Sequence, residues 1–359
     1  MADRRGRALR VPPGGIAGRP DEVPGGPWGR VWLVSGLVAL VLLSALELFW
    51  RSRGYMAGIT ANEELWSYHR ARLEGADRRT VALLGGSRMQ VGFRPEAFLE
   101  IHPEVETVQL AIAAKSPLVT LEDLAADPSF RGVVVGSFPE VTTRPGWAGQ
   151  EDYLRFYREK WGPGEKYSLL LASALQERLV LLQPRLGGAQ LLGHLRAGRL
   201  PPLNYYRTYF DRSRIMRFEL LSQRTVDGLV EARVKKAMSR LPATPPAPHD
   251  DWAAFVERLV ELAGVIRARG GEVVLVRFPT RGRFAEMTDS YFPRAEYWDR
   301  LVERLGGAAL HYRDMPGQEN LRLPDHSHLD LESGRRFTHW IARELGRLGV
   351  LEPDTVPAS

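Results

Sequence analysis

Val81-Ala-Leu-Leu-Gly-Gly-Ser-Arg-Met-Gln-Val-Gly92 decides the fold class of this chain. Four apolar residues stopped by Gly85-Gly86 suit a strand covered on both faces of a parallel sheet. Arg94-Pro95-Glu96-Ala97-Phe98-Leu99 just beyond predicts the next helix, with proline in its first turn. Ser87 then stands at a strand-to-helix turn at the carboxyl end of the sheet, where open α/β folds bind ligands. The glycines let a substrate approach the backbone closely, and the Ser87 amide can point at a developing oxyanion. Taken alone, Gly-Gly-Ser is also the composition of an ordinary turn.

The second decisive stretch lies near the other end of the chain, in Leu323-Pro-Asp-His-Ser-His-Leu-Asp-Leu-Glu-Ser-Gly-Arg-Arg-Phe337 and onward to Leu345. A loop carrying Asp325 and His328 runs into a segment with apolar residues at Phe337, Trp340, Ile341 and Leu345. Those spacings of three and four predict an amphipathic helix docked on the sheet, which fixes the loop before it. An Asp three residues ahead of a His can bond the imidazole and set its tautomer, leaving the other ring nitrogen free to take a proton from a serine. His326 competes with His328 for that role on composition alone.

The pair of stretches resembles the first and last motif blocks of the SGNH (GDSL-type) hydrolase superfamily. Gly85-Gly86-Ser87-Arg88 matches the serine block after the first strand, and Asp325-His326-Ser327-His328 matches the Asp-x-x-His block before the last helix. Leu329-Asp330 and Gly334-Arg335-Arg336-Phe337-Thr338 resemble the usual continuation. A membrane anchor followed by a Gly-Ser-Arg block further resembles the envelope-bound branch that handles O-acyl groups on polysaccharides and teichoic acids. The likeness covers about residues 78–140 and 270–348. It implies an α/β, SGNH/flavodoxin-like three-layer sandwich with a central parallel sheet. It also implies Ser87 as nucleophile, His328 as base and Asp325 as its orienting partner.

Two departures bear on the oxyanion hole. Val108-Gln-Leu-Ala-Ile-Ala-Ala-Lys-Ser-Pro117 offers Ala113 and Ala114 where the family has a glycine, and an alanine amide can still donate. After the next strand, Gly132-Val-Val-Val-Gly-Ser-Phe-Pro139, Ser137 stands and no Asn follows. Losing one oxyanion donor costs about 100- to 1,000-fold in rate. Ser87, Ala114, Ser137 and Arg88 are therefore the expected oxyanion and substrate-binding residues.

Composition narrows the classes. The 359 residues are 44% hydrophobic and contain no cysteine, which excludes a disulfide framework and a thiolate metal site. The net charge of +6 comes mostly from scattered arginines with no basic run interleaved with aromatics, so no nucleic-acid partner is expected. His311 with Asp314, and His326 with Asp330, lack further ligands, so neither a metal site nor a cofactor is expected.

Residues 1–30 are rich in Gly, Pro and Arg and predict a disordered cytoplasmic tail. Residues 31–50 carry a single charge, Glu47, with Trp32 and Trp50 near the ends. At 1.5 Å per residue the run spans about 30 Å, the thickness of a bilayer core. A cleaved signal peptide is the alternative, but no small-x-small site follows. Arg4, Arg5, Arg7, Arg10, Arg19 and Arg30 precede the run and only Arg51 and Arg53 follow closely, which predicts the amino end inside and the rest exported from the inner membrane.

Residues 55–140 form the first half of the expected SGNH-like domain. They comprise a helix over 55–78, the strand ending at Leu84, a helix near 95–101, a strand near 105–112, a helix near 117–127 and a strand at 132–138. Short alternation of this kind predicts a parallel sheet. Residues 141–248 show no strong strand but long helical patterns such as Ser168–Leu182, and end in the Pro-rich Pro242–Pro248. They are expected to form a helical insertion, with the aromatic-rich Pro201–Arg212 as packing or as a sugar platform. Residues 249–348 resume the domain with a helix over 251–269 bearing Trp252, Phe255, Leu259, Leu262 and Ile266 on one face. A strand at 272–278, a helix around 294–305 and a strand at 308–312 follow, placing Arg277 or Arg281 near the site. Residues 349–359 are expected as a disordered tail.

The expected function is a membrane-anchored serine esterase or O-acyltransferase on acyl esters of envelope glycans, with a membrane acyl-transfer protein as a further partner. The alternative is an inactive SGNH-like scaffold that binds envelope polysaccharide or partner proteins.

Overall fold

The computed structural model describes residues 26–143, 147–247 and 249–351. The tails expected at 1–30 and 349–359 therefore fall largely outside the described residues. At the carboxyl end one correction holds: Val350 and Leu351 are buried in the core, because their amides bond back to the Leu345 carbonyl and set their apolar side chains beside Phe337, Ile341 and Leu345.

Two compact units divide the chain, residues 1–48 and 49–359. The first contains most of helix α1, Trp28–Ser52, which is long and apolar enough to cross a membrane and begins three residues earlier than the sequence suggested. Such a helix is consistent with a signal anchor or a membrane span. Its last turn belongs to the second unit, where Trp50 packs edge-on against Tyr55 and beside Val180 and Leu186.

The second unit is an α/β fold around a five-stranded parallel sheet. Its strands are β1 Thr80–Leu84, β2 Glu106–Gln109, β3 Val133–Gly136, β6 Glu272–Arg277 and β7 Ala309–His311. They lie in the order β2-β1-β3-β6-β7. Counted along the chain, that is the 2-1-3-4-5 order of flavodoxin-like doubly wound sheets, with its reversal between β1 and β3. The fold class expected from the sequence is thus present.

Strand alternation sorts the sheet residues into two layers of core. Ala82, Leu84, Val134, Val273 and Leu275 face Trp66 of α2 (Glu63–Ala71), Leu121 and Leu124 of α5 (Leu118–Ala126), α10 (Asp250–Ala268) and α12 (Trp298–Leu305). The α10 stripe of Trp252, Phe255, Leu259, Leu262 and Ile266 is buried as the periodicity required. Val81, Leu83, Val133, Val135, Val274 and Val276 face α3 (Ser87–Gly92), α4 (Pro95–Leu99) and α13 (Leu331–Arg347) through Phe93, Phe98, Phe337, Ile341 and Leu345.

Several boundaries differ from expectation for local reasons. Residues 55–61 are extended rather than helical, because the Gly58 and Ile59 amides bond the Gln176 and Thr208 carbonyls. Helix α2 starts only where the Asn62 side chain accepts from the Leu65 amide. Between β3 and α10 come α6 (Glu151–Glu159), α7 (Pro163–Gln176), α8 (Gly188–Arg196) and α9 (Gln223–Met238). The helix expected to reach Leu182 ends at Gln176, since Leu179 turns extended and lets Val180 bury. A two-stranded hairpin, β4 (Tyr206–Thr208) and β5 (Arg214–Met216), stands where no strand was expected. Strands of three residues carry too little alternation to read. At its tip Arg212 is buried and donates to the Gln109 and Ala111 carbonyls, both at 2.9 Å. The aromatics of this stretch accordingly pack inward, Phe210 against Tyr68 and His69. Helix α11 (Gly282–Tyr291) was also not anticipated.

Gly92 shows how tightly α3 is set against the sheet end. A Cβ there would lie 2.8 Å from the Phe278 ring and 3.3 Å from Leu329, both buried. Gly92→Ala is expected to lower stability by about 1–3 kcal/mol in a urea titration of the full chain. An unchanged midpoint contradicts this packing.

Candidate active site

The chain reverses direction across the sheet between β1 and β3, and the crevice outside their carboxyl ends is where ligands bind in this topology. Gly85 follows β1 so closely packed that a Cβ would meet Met89 Cβ at 3.0 Å and Ser137 Cβ at 3.4 Å. Gly86 is the extended residue before α3, and its carbonyl accepts from the Met89 and Gln90 amides. Ser87 is thus the first residue of a helix that opens at the serine itself. The sequence placed helix only at Pro95. The interruption comes at Phe93 and Arg94, which are extended because the residue before a proline avoids helical backbone.

From the other end of the chain, the loop before α13 supplies Asp325 and His328. Asp330 caps α13 by accepting from the Ser333 amide at 2.8 Å, which fixes where the loop stops. Within it, Asp325 Oδ1 accepts from the His328 amide at 2.8 Å and the Ser327 amide at 3.2 Å, folding Asp325 back toward His328. His328 Nδ1 lies 2.8 Å from Asp325 Oδ2, and Nε2 lies 2.8 Å from Ser87 Oγ. With Nδ1 donating to the carboxylate, Nε2 is left to accept the serine proton. The structure therefore joins Ser87, His328 and Asp325 in one hydrogen-bonded chain.

His326 takes no part. It sits in the left-handed region at φ 62° with its ring against Gly282, and its buried Nδ1 has no hydrogen-bond partner. Of the two arginines expected near the site, Arg277 is buried in an ion pair with Glu140, and Arg281 turns away to the carbonyls of Gln318 and Glu319 at 2.8 Å. His311 accepts from the Arg313 amide at 3.1 Å and stacks on Tyr312, while Asp314 pairs with Arg294. Among the described residues no group of three acidic or histidine side chains converges as metal ligands.

Burial by itself would raise the Asp325 carboxyl, which is 1% exposed. The hydrogen bond and charge of His328, and then Arg233, outweigh it and hold the group well below the usual carboxylate range. Burial pushes His328 down from the ordinary histidine value. Asp325 opposes that shift, and the Arg233 and Arg88 cations add to it. His328 is in consequence kept neutral, the form a general base needs.

The chain of hydrogen bonds opens on a cavity of about 250 Å³. Arg88, Ala114 and Ser137 all line it. Ala114 adopts φ 60°, the left-handed backbone that a glycine takes freely and that costs another residue about 1–2 kcal/mol. The alanine departure noted in the sequence therefore appears as strain beside Ser87. Ser137 follows β3, its amide bonded to the Leu84 carbonyl at 2.9 Å, and no Asn lines the cavity among the described residues.

Sequence reasoning missed the far wall. Arg233 on α9 forms an ion pair with Asp325, and Lys236 one turn further lines the same cavity with Trp147 and Phe284. Val226, Val230, Val234 and Ala237 bury the neighbouring face of α9. That apolar spacing was available, but Arg233 and Lys236 beside it look like any solvated helix face.

No family model matches the chain, and no curated protein matches it. Among solved structures, "Crystal Structure of TesA" aligns over 75% of this chain and 99% of that chain, at 12% identity and a TM-score of 0.34. A likeness so slight adds nothing to the fold read from strand order or to the site read from its own geometry.

Proposed function

We propose that the chain is an SGNH-type serine hydrolase or O-acyltransferase. It is anchored in the inner membrane by α1 with its amino end cytoplasmic, and it acts on acyl esters of envelope glycans on the far side. The observation that carries this reading is the chain of two 2.8 Å contacts from Asp325 through His328 to Ser87 at the cavity mouth. Ser87 Oγ attacks the ester carbonyl while its proton passes to His328 Nε2, and Asp325 stabilises the imidazolium through Nδ1–H. The tetrahedral intermediate collapses by breaking the bond to the leaving alcohol, which takes the proton back from His328. Water then releases the acyl group as acid; a sugar hydroxyl in its place completes transfer. The amides of Ser87 and Ala114, with the Ser137 hydroxyl in place of the absent Asn, are the oxyanion donors in this reading. A membrane acyl-transfer protein is the partner it calls for if transfer is the reaction.

Turnover of 4-nitrophenyl acetate and of O-acetylated glycan by the full chain in detergent tests the reading. Absence of both activities in folded protein contradicts it. The acid limb of kcat/KM is expected below pH 6.5, because burial lowers His328 from its ordinary value of 6.5. A limb at or above 6.5 would mean that another group is the base.

A second reading is favoured by the strained Ala114 and the missing Asn: a scaffold that binds envelope polysaccharide or partner proteins without chemistry. In that case Ser87→Ala preserves function, and substitutions in the helical insertion at residues 141–248 abolish it.

A further inference from the structure

Among the described residues, four cationic side chains, Arg88, Lys115, Arg233 and Lys236, line the cavity in front of Ser87, and no Asp or Glu does. Two of the four are already answered, Lys115 by Asp152 at 2.8 Å and Arg233 by Asp325. Arg88 is not. Its Nε donates to Ser327 Oγ at 3.1 Å and its guanidinium lies 4.9 Å over the Phe284 ring, contacts that fix the plane of the fork without supplying a counter-charge. The neighbouring acids are engaged elsewhere, Glu140 with Arg277 and Asp325 with His328 and Arg233. Burial, and after it the Arg277 charge, push the Arg88 guanidinium down to about 9, although the charges of Glu140 and Asp325 oppose the shift. A cation kept beside the nucleophile with no anion of its own in direct contact costs folding free energy that an anionic ligand would offset. Lys236, exposed on α9, likewise has no acidic partner among the described residues.

We propose that this cavity selects an anionic ester, one carrying a carboxylate or phosphate group within a few bonds of the scissile carbonyl. The Arg88 fork holds the anion and Lys236 draws it in at the rim. The Arg88 terminal amino groups make no hydrogen bond among the described residues, and a planar guanidinium can take two oxygens of either group at once, whereas the lysine acts as a point charge. Phe284, Trp147 and Val141 give the apolar wall along which a short carbon chain lies between the anion and the carbonyl. This inference rests on the ester chemistry proposed for Ser87.

Its test reads binding rather than turnover. The full Ser87→Ala chain in detergent is titrated with monomethyl glutarate, methyl 4-phosphonobutanoate and neutral methyl hexanoate, using saturation-transfer NMR. At least one anionic probe is expected to bind about tenfold or more tighter than the neutral one. The stronger of the two anions identifies the group as carboxylate or phosphate. Adding Arg88→Gln is expected to abolish the preference, Arg88→Lys to retain part of it, and Lys236→Ala to weaken it. Equal binding of all three probes overturns the inference, as does a preference that survives Arg88→Gln. Should Arg88→Gln fail to fold, an unchanged preference in Lys236→Ala, whose side chain is exposed, overturns it instead. A wild-type chain that takes up a fluorophosphonate on Ser87 but shows no anion preference loses only the anion subsite. A chain that shows the preference but is never labelled keeps the subsite and loses the ester chemistry.

Discussion

Ser87→Ala is expected to lower ester turnover by about a thousandfold or more while leaving the chain folded. The side chain it removes donates its proton to His328 Nε2 at 2.8 Å and makes no other hydrogen bond among the described residues. Ser87 is partly buried at the cavity mouth, so the substitution deletes one oxygen and leaves the packing of α3 through Met89 and Val91 intact. Residual turnover measures what the oxyanion donors and the bound geometry supply without a nucleophile. A loss of less than about tenfold would place the chemistry on another group.

Asp325→Asn is expected to cost about 10,000-fold in kcat near neutral pH, the size of effect seen when an orienting carboxylate in such a chain becomes an amide. The Asn can offer an N–H to His328 Nδ1, which turns the imidazole to the tautomer that cannot accept from Ser87. It also takes the counter-charge from Arg233, so stability falls as well. Breaking a buried pair costs about 3–5 kcal/mol when both partners are enclosed; Arg233 is 26% exposed, and solvent screening keeps the loss below that range. In the wild type, Asp325 titrates below its ordinary 3.8 because of His328 and Arg233, against the opposing effect of burial. Its stabilisation is therefore fully present above pH 3.8 and is lost as pH falls through the folded value. His328, lowered from 6.5, makes the unfolded chain the better proton acceptor below that pH, so the fold also loses stability as pH falls from 6.5. Urea midpoints of the wild type should rise between pH 4 and 7. A flat profile would contradict the buried neutral histidine.

Much of this arrangement was legible because it is local. Val81–Leu84 stopped by two glycines marked the strand and its serine, and the α10 and α13 stripes marked the helices that cover the two faces. Asp325 and His328 could be paired by spacing, since three residues suffice for the carboxylate to fold back onto the loop. What could not be read depends on contacts between distant segments. Composition alone offers both His326 and His328, and the Asp-x-x-His spacing favours His328; what excludes His326 in space is its left-handed backbone, which sets its ring against Gly282. Arg233 and Lys236 belong to a helix whose apolar stripe says that it packs, not where. The hairpin carrying Arg212 is held by two backbone carbonyls of the β2 edge rather than by any pattern of its own. The alanine at 114 was visible as a departure, and only its φ shows the strain that the departure brings.

Intact-protein mass after treatment with a fluorophosphonate tests the central claim most directly, on the full chain in detergent beside Ser87→Ala and His328→Ala. One adduct is expected on the wild type and none on either variant, because the label requires a serine activated by its histidine. No adduct on folded wild-type protein, or an adduct that persists in Ser87→Ala, would contradict it.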